Sequence, residues 1–284
     1  MPELPEVETI KRGLDKYLVG HTILGVDVRL PRIFSGDSKK IFGGKVIEIR
    51  RLGKGLLIDL DNEYSIAVHV KMTGQLLYKE GKETEGTKGA VLRKVDIRSL
   101  PDIYTHVVFK LDNDATLFYR DMRQFGWVKI IETKDAQEMP FFKSLGPEPL
   151  KDLTLEKFKG IISKNKTAIK PLLMDQAKIA GIGNIYANDA LYVAGIDPRR
   201  SSMSLSKSEQ RKLFKAIEQV LKKGIEVGGA SEWSYVDALG GAGQYQNFFQ
   251  VYNKKGKPCK NCGTIIEKII LGGRGTFFCP TCQK

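Results

Sequence analysis

Residues 259–284 read CKNCGTIIEKIILGGRGTFFCPTCQK and hold all four cysteines of the chain, Cys259, Cys262, Cys279 and Cys282. Their spacing is C-x2-C-x16-C-x2-C. Two thiolates three positions apart chelate one ion from a tight turn, and two such turns supply the tetrahedral sulfur set of a structural Zn2+. Disulfides are the competing reading, disfavoured because the chain opens MPELPEVETI, without the basic and apolar regions of a secretion signal, and has no other cysteine. Four thiolates leave no open coordination position, so the metal shapes the fold and performs no chemistry. Between the pairs, 264–271 and 276–279 read as strands flanking Gly272-Gly273-Arg274-Gly275, a zinc-stapled hairpin with Arg274 at its tip.

Upstream of the finger the hydrophobic period is helical. Helices are expected over 155–163, 169–177, 184–194 and 207–227, the last with Leu213, Phe214, Ile217, Val220, Leu221 and Ile225 as its buried stripe. Asn184, after Gly181-Ile182-Gly183, is expected to cap its helix, whose N-terminus suits a backbone phosphate. The stretch 228–250 carries five glycines and reads as a flexible binding loop. From 22 to 132 the pattern alternates, as in Leu24/Val26/Val28/Leu30, Ile47/Ile49, Ile66/Val68/Val70 and Val107/Phe109/Leu111, which predicts a β-sandwich. Pro5, Glu6 and Glu8 announce a first helix with Val7, Ile10, Leu14 and Leu18 on one face. Residues 80–89 (EGKETEGTKG) have no apolar side chain and read as a flexible loop, and Gly146-Pro147-Glu148-Pro149 marks a link between domains.

At 284 residues, two or three domains are expected. The net charge of +13 is regional: residues 1–150 carry 24 Lys+Arg against 22 Asp+Glu, net +2, and residues 151–284 carry 22 against 11, net +11. Such a domain draws polyanions, and nucleic acid is the leading partner; a solvated lysine-rich surface is the alternative. No apolar run approaches the ~18 residues that span a bilayer, so a soluble, cytoplasmic protein without a membrane partner is expected. No phosphate-binding P-loop, dinucleotide fingerprint or serine-based triad is present, which disfavours phosphoryl transfer and ordinary acyl chemistry.

MPELPEVE, GIGNIYANDAL and the terminal finger with GRGTFFCPTC, in this order, resemble the formamidopyrimidine-DNA glycosylase family from end to end. The resemblance implies an α+β chain: an N-terminal helix plus antiparallel β-sandwich (1–133), a linker (134–150), a helical helix-two-turn-helix domain (151–227), a flexible lesion-recognition loop (228–250) and a zinc-finger β-hairpin (251–284). It implies a monomeric bifunctional DNA glycosylase and abasic-site lyase of base excision repair, associated with the nucleoid through its DNA. The substrates implied are 8-oxoguanine and formamidopyrimidines in double-stranded DNA, with one structural Zn2+ as the cofactor.

By the same resemblance Pro2, freed by loss of Met1, is the nucleophile at the sugar C1′. A free α-amine titrates near ~7.7 to 8.0, so a useful fraction is neutral at physiological pH. Glu3 is the implied acid for ring opening, Lys54 the lysine of β-elimination, and Arg274 the arginine of δ-elimination that grips the lesion phosphate. Met72, Arg123 and Phe125 are the implied void-filling side chains; core packing is the alternative for Met72 and Phe125. His69, Lys166, Lys170, Tyr252 and Lys268, together with Asn184, fall at phosphate-contact positions. Three departures from the family pattern bear on affinity and opposite-base preference: DMRQFG at 121–126 where DPRRFG is common, Asn165 within the lysine run, and Tyr104 in place of a DNA-contacting histidine. The rivals are an endonuclease VIII-type enzyme for oxidised pyrimidines and a zinc-containing DNA-binding protein without catalysis; Leu4 and the long 228–250 stretch favour the purine branch.

Overall fold

The computed structural model describes residues 1–81 and 94–284, so that most of the charged loop expected at 80–89 lies outside the described residues. The chain divides into two compact units, Met1–Lys143 with Val227–Gln246, and Ser144–Glu226 with Asn247–Lys284.

In the first unit, helix α1 (Leu4–Tyr17) begins where the sequence places a proline in its first turn. The Glu6 carboxylate accepts the backbone N–H of Glu3 at 2.8 Å, closing a capping box. Val7, Ile10, Leu14 and Leu18 are buried, each worth about 1.5–3 kcal/mol by removal from water. They pack in one core with the inner faces of two sheets. One sheet has the order β1-β7-β8-β6, from β1 (Ile23–Val28), β7 (Thr105–Leu111), β8 (Thr116–Asp121) and β6 (Gly74–Lys79). The other has the order β2-β9-β5-β4-β3, from β2 (Phe34–Ser35), β9 (Trp127–Glu132), β5 (Tyr64–His69), β4 (Gly55–Leu60) and β3 (Val46–Leu52). All pairs are antiparallel except β2 with β9.

Two connections cross between the sheets at the same end, 70–73 from β5 to β6 and 122–126 from β8 to β9. Asp121, fully buried, joins them: it accepts from the Thr73 hydroxyl and from the N–H groups of Arg123 (3.2 Å) and Gly126 (2.8 Å). The backbones come too close there for a side chain. A Cβ on Gly126 would lie 1.7 Å from the Tyr119 hydroxyl and 2.7 Å from the His69 carbonyl oxygen.

After α2 (Pro140–Lys143), the second unit holds α3 (Leu155–Ser163), α4 (Ile169–Met174), α5 (Asn184–Ala194), α6 (Lys207–Glu226) and a hairpin of β10 (Glu267–Leu271) and β11 (Arg274–Phe278). α3 and α5 keep their expected bounds, whereas α4 stops at Met174, short of the expected 177, because Asp175 turns to an extended backbone. The hairpin turn is Gly272-Gly273 alone, both with positive φ (57° and 71°). Arg274 therefore stands beside the tip as the first residue of β11, opposite Leu271.

One further expectation is corrected. Ile47 is exposed, because the register shifts between Val46 and Glu48 and breaks the alternation with Ile49. In the 228–250 stretch Ala230, Tyr235, Val236, Ala238, Tyr245 and Phe249 are buried, and Ala238 accepts a backbone bond from Tyr78. The glycines there serve tight geometry, since Gly228, Gly229 and Gly240 have positive φ and a Cβ on Gly243 would sit 2.2 Å from the Gly228 carbonyl oxygen.

The close approach at Gly126 predicts that Gly126→Ala destabilises the protein by about 1–3 kcal/mol in urea unfolding. Tyr119→Phe in the same chain should recover part of this loss, the clash with the His69 carbonyl remaining. Unchanged stability of the single variant would contradict this packing.

Candidate active site and zinc centre

The strand pairings bring the sequence-predicted residues of the first unit to one end of the sandwich. Leu52 pairs with Gly55, so Gly53-Lys54 is a two-residue turn; Leu56 lies opposite Val68, and His69 opposite Trp127. The Lys54 turn, the 70–73 connection and the 122–126 connection therefore emerge side by side. Arg51 ties the first of these to α1, donating to Glu8 at 2.8 Å and to the Gly53 carbonyl at 3.0 Å.

The start of the chain reaches the same place. Pro2, Glu3 and Lys54 are buried, while Met1 is 44% exposed. The Met1 amine is held below its ordinary value of 8.0, mainly by burial; Lys54 and Arg123 add to that lowering, and Glu3 and Glu6 oppose it. A lowered pKa enlarges the neutral, nucleophilic fraction at neutral pH. Glu6 was not singled out from the sequence. Besides bonding Glu3, it accepts the Ala230 N–H at 2.8 Å, tying the helix start to the glycine-rich stretch.

His69 is buried between the rings of Trp127 and Phe141, with centroids at 5.8 and 4.7 Å. Burial, then the charges of Lys71 and Lys54, push its pKa down to about 3. Its Nδ1 accepts the Lys71 N–H at 2.9 Å, so the imidazole is neutral with its proton on Nε2. Any phosphate it meets receives an N–H and no charge. Met72 and Phe125 stand outside the core at 38% and 57% exposure, and the Arg123 guanidinium stacks on the Phe125 ring at 4.8 Å. Tyr104 is half-buried beneath the Arg120 guanidinium.

In the second unit one expectation changes. Gly183, not Asn184, is the N-cap of α5, because the Asn184 carboxamide oxygen faces Lys170 instead. Lys170, expected as a phosphate contact, is fully buried; its ammonium donates to Asn184 Oδ1 (2.7 Å), Gly275 O (3.1 Å) and Thr276 Oγ1 (2.8 Å). It braces β11 against α4 and α5. Asn188 adds to this by accepting the Phe277 N–H at 2.7 Å. Lys166, Lys268 and Arg274 are exposed, and Tyr252 packs its ring on Phe249 and Phe277. The Tyr252 backbone hangs on Asp189, whose Oδ1 accepts from Gln250, Val251 and Tyr252; burial raises that carboxyl to about 6.

The Sγ atoms of Cys259, Cys262, Cys279 and Cys282 all lie within 4.8 Å of one another. Tetrahedral Zn–S bonds of about 2.3 Å give sulfur separations near 3.8 Å, and the 3.9 Å between Cys259 and Cys282 and 3.5 Å between Cys262 and Cys279 fit one structural Zn2+. The Tyr192 hydroxyl at 3.2 Å from Cys259 and the Asn261 amide at 3.4 Å from Cys282 supply outer hydrogen bonds to sulfur.

Comparison with known proteins accounts for nearly the whole chain. Residues 1–128 match the formamidopyrimidine-DNA glycosylase N-terminal domain, 145–235 the H2TH domain of the same enzyme, and 256–284 a zinc finger found in FPG and IleRS. The formamidopyrimidine-DNA glycosylase of Pelotomaculum thermopropionicum is 42% identical over 290 residues, covering 100% of this chain and 99% of its own. That of Heliobacterium modesticaldum is 40% identical, with 100% of both covered. A Lactococcus lactis FPG mutant in complex with Fapy-dG containing DNA superposes with a TM-score of 0.87 at 34% identity, covering 100% of both chains. The MutM (FPG) protein of Thermus thermophilus gives 0.86 at 34%, covering 99% of this chain and 98% of its own. With its sandwich, its H2TH region and its four-sulfur finger each matched in order, the chain belongs to the formamidopyrimidine-DNA glycosylase family.

Proposed function

We propose that the protein is a bifunctional DNA glycosylase and abasic-site lyase of base excision repair, which excises oxidised purines from duplex DNA and nicks the strand. The supporting observation is the gathering of the amino terminus, Glu3, Lys54 and Arg123 at one end of the sandwich, where the Met1 amine is kept below its ordinary pKa. An enzyme that repairs DNA acts inside the cell.

With Met1 removed, Pro2 presents a secondary amine. Its nitrogen bonds to the sugar C1′ as the glycosidic bond breaks and the base departs with the electron pair. Glu3 protonates the opening ring oxygen, and loss of the amine proton leaves an iminium. The iminium acidifies the C2′ hydrogen. Its removal, with Lys54 as the proton-transfer group, expels the 3′ phosphate; a second elimination expels the 5′ phosphate, whose charge Arg274 stabilises. Water then frees Pro2 from the sugar fragment. Met72 and Phe125 wedge into the gap left by the extruded base, and Arg123 meets its partner. The finger's Zn2+ holds Arg274 in position and takes no part in a step.

Intact mass should show loss of Met1, and borohydride should trap protein on a duplex with an abasic site or oxidised guanine. The surroundings that hold the Met1 amine below its ordinary value are expected to act on the Pro2 amine in the same direction, so trapping should fall less between pH 8 and pH 7 than it would for an unshifted amine. Glu3→Gln should bind DNA while base excision falls about a hundredfold or more. Full activity with Met1 retained would refute the mechanism.

Met72→Ala and Phe125→Ala should leave unfolding stability within about 0.5 kcal/mol of the parent, against ~2–5 kcal/mol for emptied core sites. They should impair excision from an intact duplex far more than cleavage at a preformed abasic site. Equal loss on both substrates, with a large drop in stability, would return these residues to the core.

Metal analysis should find one Zn2+ per chain. Chelation should disorder β10 and β11 and abolish strand nicking, since metal binding and local folding are coupled. Full nicking by zinc-free protein would refute the role given to the finger.

A further inference from the structure

We propose that Arg32 is a DNA-backbone contact of this protein, a guanidinium positioned by Gln124 to meet a phosphodiester beyond the lesion nucleotide. The inference rests on the reading of the protein as a DNA-binding enzyme, and it adds a residue outside the set assigned above.

The sheet topology puts Arg32 in the row of site residues. β2 and β9 run parallel, with Phe34 opposite Val128, so the residues just before each strand emerge at the same end of the sheet. Before β9 come Arg123, Gln124 and Phe125; before β2 comes Arg32. In the order β2-β9-β5-β4-β3 this end carries, in turn, Arg32, the 122–126 connection, the residues following His69, and Lys54. Strands lie about 4.8 Å apart, so four steps from β2 to the β3 edge span about 19 Å. Duplex DNA places one phosphate per strand in about every 3.4 Å of axis, so the row is long enough to reach past a single nucleotide.

Charge pairing singles out the same residue. Among the described arginines of this unit, Arg12, Arg29, Arg50, Arg51, Arg98 and Arg120 each meet a carboxylate. Arg32 and Arg123 do not. Arg123 lies on the Phe125 ring, and the exposed Arg32 donates through Nη2 to the carboxamide oxygen of Gln124. An amide orients the guanidinium without neutralising it, so its full charge and remaining donors face solvent, as phosphate recognition requires. Gln124 is itself well placed for this. It has a positive φ of 57°, and the residues around it are held by the bonds of Arg123 and Gly126 to Asp121.

The test is equilibrium binding of the full zinc-loaded chain to a duplex bearing an uncleavable abasic analogue, and to the same duplex undamaged, over a series of KCl concentrations. For Arg32→Ala, and for Arg32→Gln as a second neutral variant, the slope of log affinity against log salt should shrink by about 0.9, one counterion contact. Affinity should fall several-fold, by a similar factor on both duplexes. Gln124→Ala should keep the slope and lose part of the affinity, because the cation remains but is no longer held. Replacing single phosphates by neutral methylphosphonates should reveal one position where wild type and Arg32→Ala become equal. A slope unchanged in both neutral variants would overturn the proposal, whatever the affinity does, and an acidic protein as the true partner would give that result. The undamaged duplex keeps the two readings apart: failure of base excision would refute the enzymatic reading while leaving the slope comparison intact.

Discussion

Asp121 is a carboxylate with no exposure to solvent, and it persists as an acceptor because a hydroxyl and two backbone N–H groups surround it. Those donors come from Thr73, Arg123 and Gly126, that is, from both connections between the sheets. In a low-dielectric interior, leaving such a group unpaired costs several kcal/mol, so the two connections hold together or fail together. The sandwich core fixes where the strands end. Asp121 fixes what the chain does next, and through it Arg123, Gln124 and Phe125 stand on one rigid loop with Met72 beside them.

The second unit solves a related problem with other groups. A two-stranded hairpin buries too little to be stable alone, and here four sulfurs staple one end of it. The other end is pinned by Lys170 and Asn188, which satisfy oxygens of Gly275 and Thr276 and the N–H of Phe277. A buried ammonium persists only when its donors are matched, and three oxygens at 2.7 to 3.1 Å match them. Arg274 thus inherits its position from a lysine that sits on α4 and a metal at the far end of its own strand.

How much of this was legible in the sequence follows from how local each signal is. Cysteine spacing is local chemistry, so the zinc set could be read directly. α3 and α5 were bounded correctly because a Thr154 cap and a Gly195 stop write their ends into the chain. The bonds of Lys170 to Asn184, Gly275 and Thr276 were not legible, because those partners lie at 275 and 276 or across a helix pair, and no periodicity reports a pairing fourteen or a hundred residues away. The close backbone approaches of 228–250 were not legible, since composition does not distinguish a glycine that frees the chain from one that lets two backbones touch. Asp121 and Asn188 went unnoticed inside motifs that had already drawn attention to Arg123 and Asn184. A polar residue two or four places from a motif residue is the signal that was available.

The turn beside Arg274 narrows what can replace its second residue in a way that volume alone would not suggest. A Cβ on Gly272 would press on Pro171 at 3.1 Å, whereas one on Gly273 would meet nothing within 4 Å. Position 273 has room, and its φ of 71° is what restricts it, a matter of handedness. Asparagine and aspartate are the L-residues that tolerate this region best. Aspartate would set a carboxylate one residue from the guanidinium and weaken its hold on any anion, so conformation and charge together leave glycine and asparagine as the choices at this position.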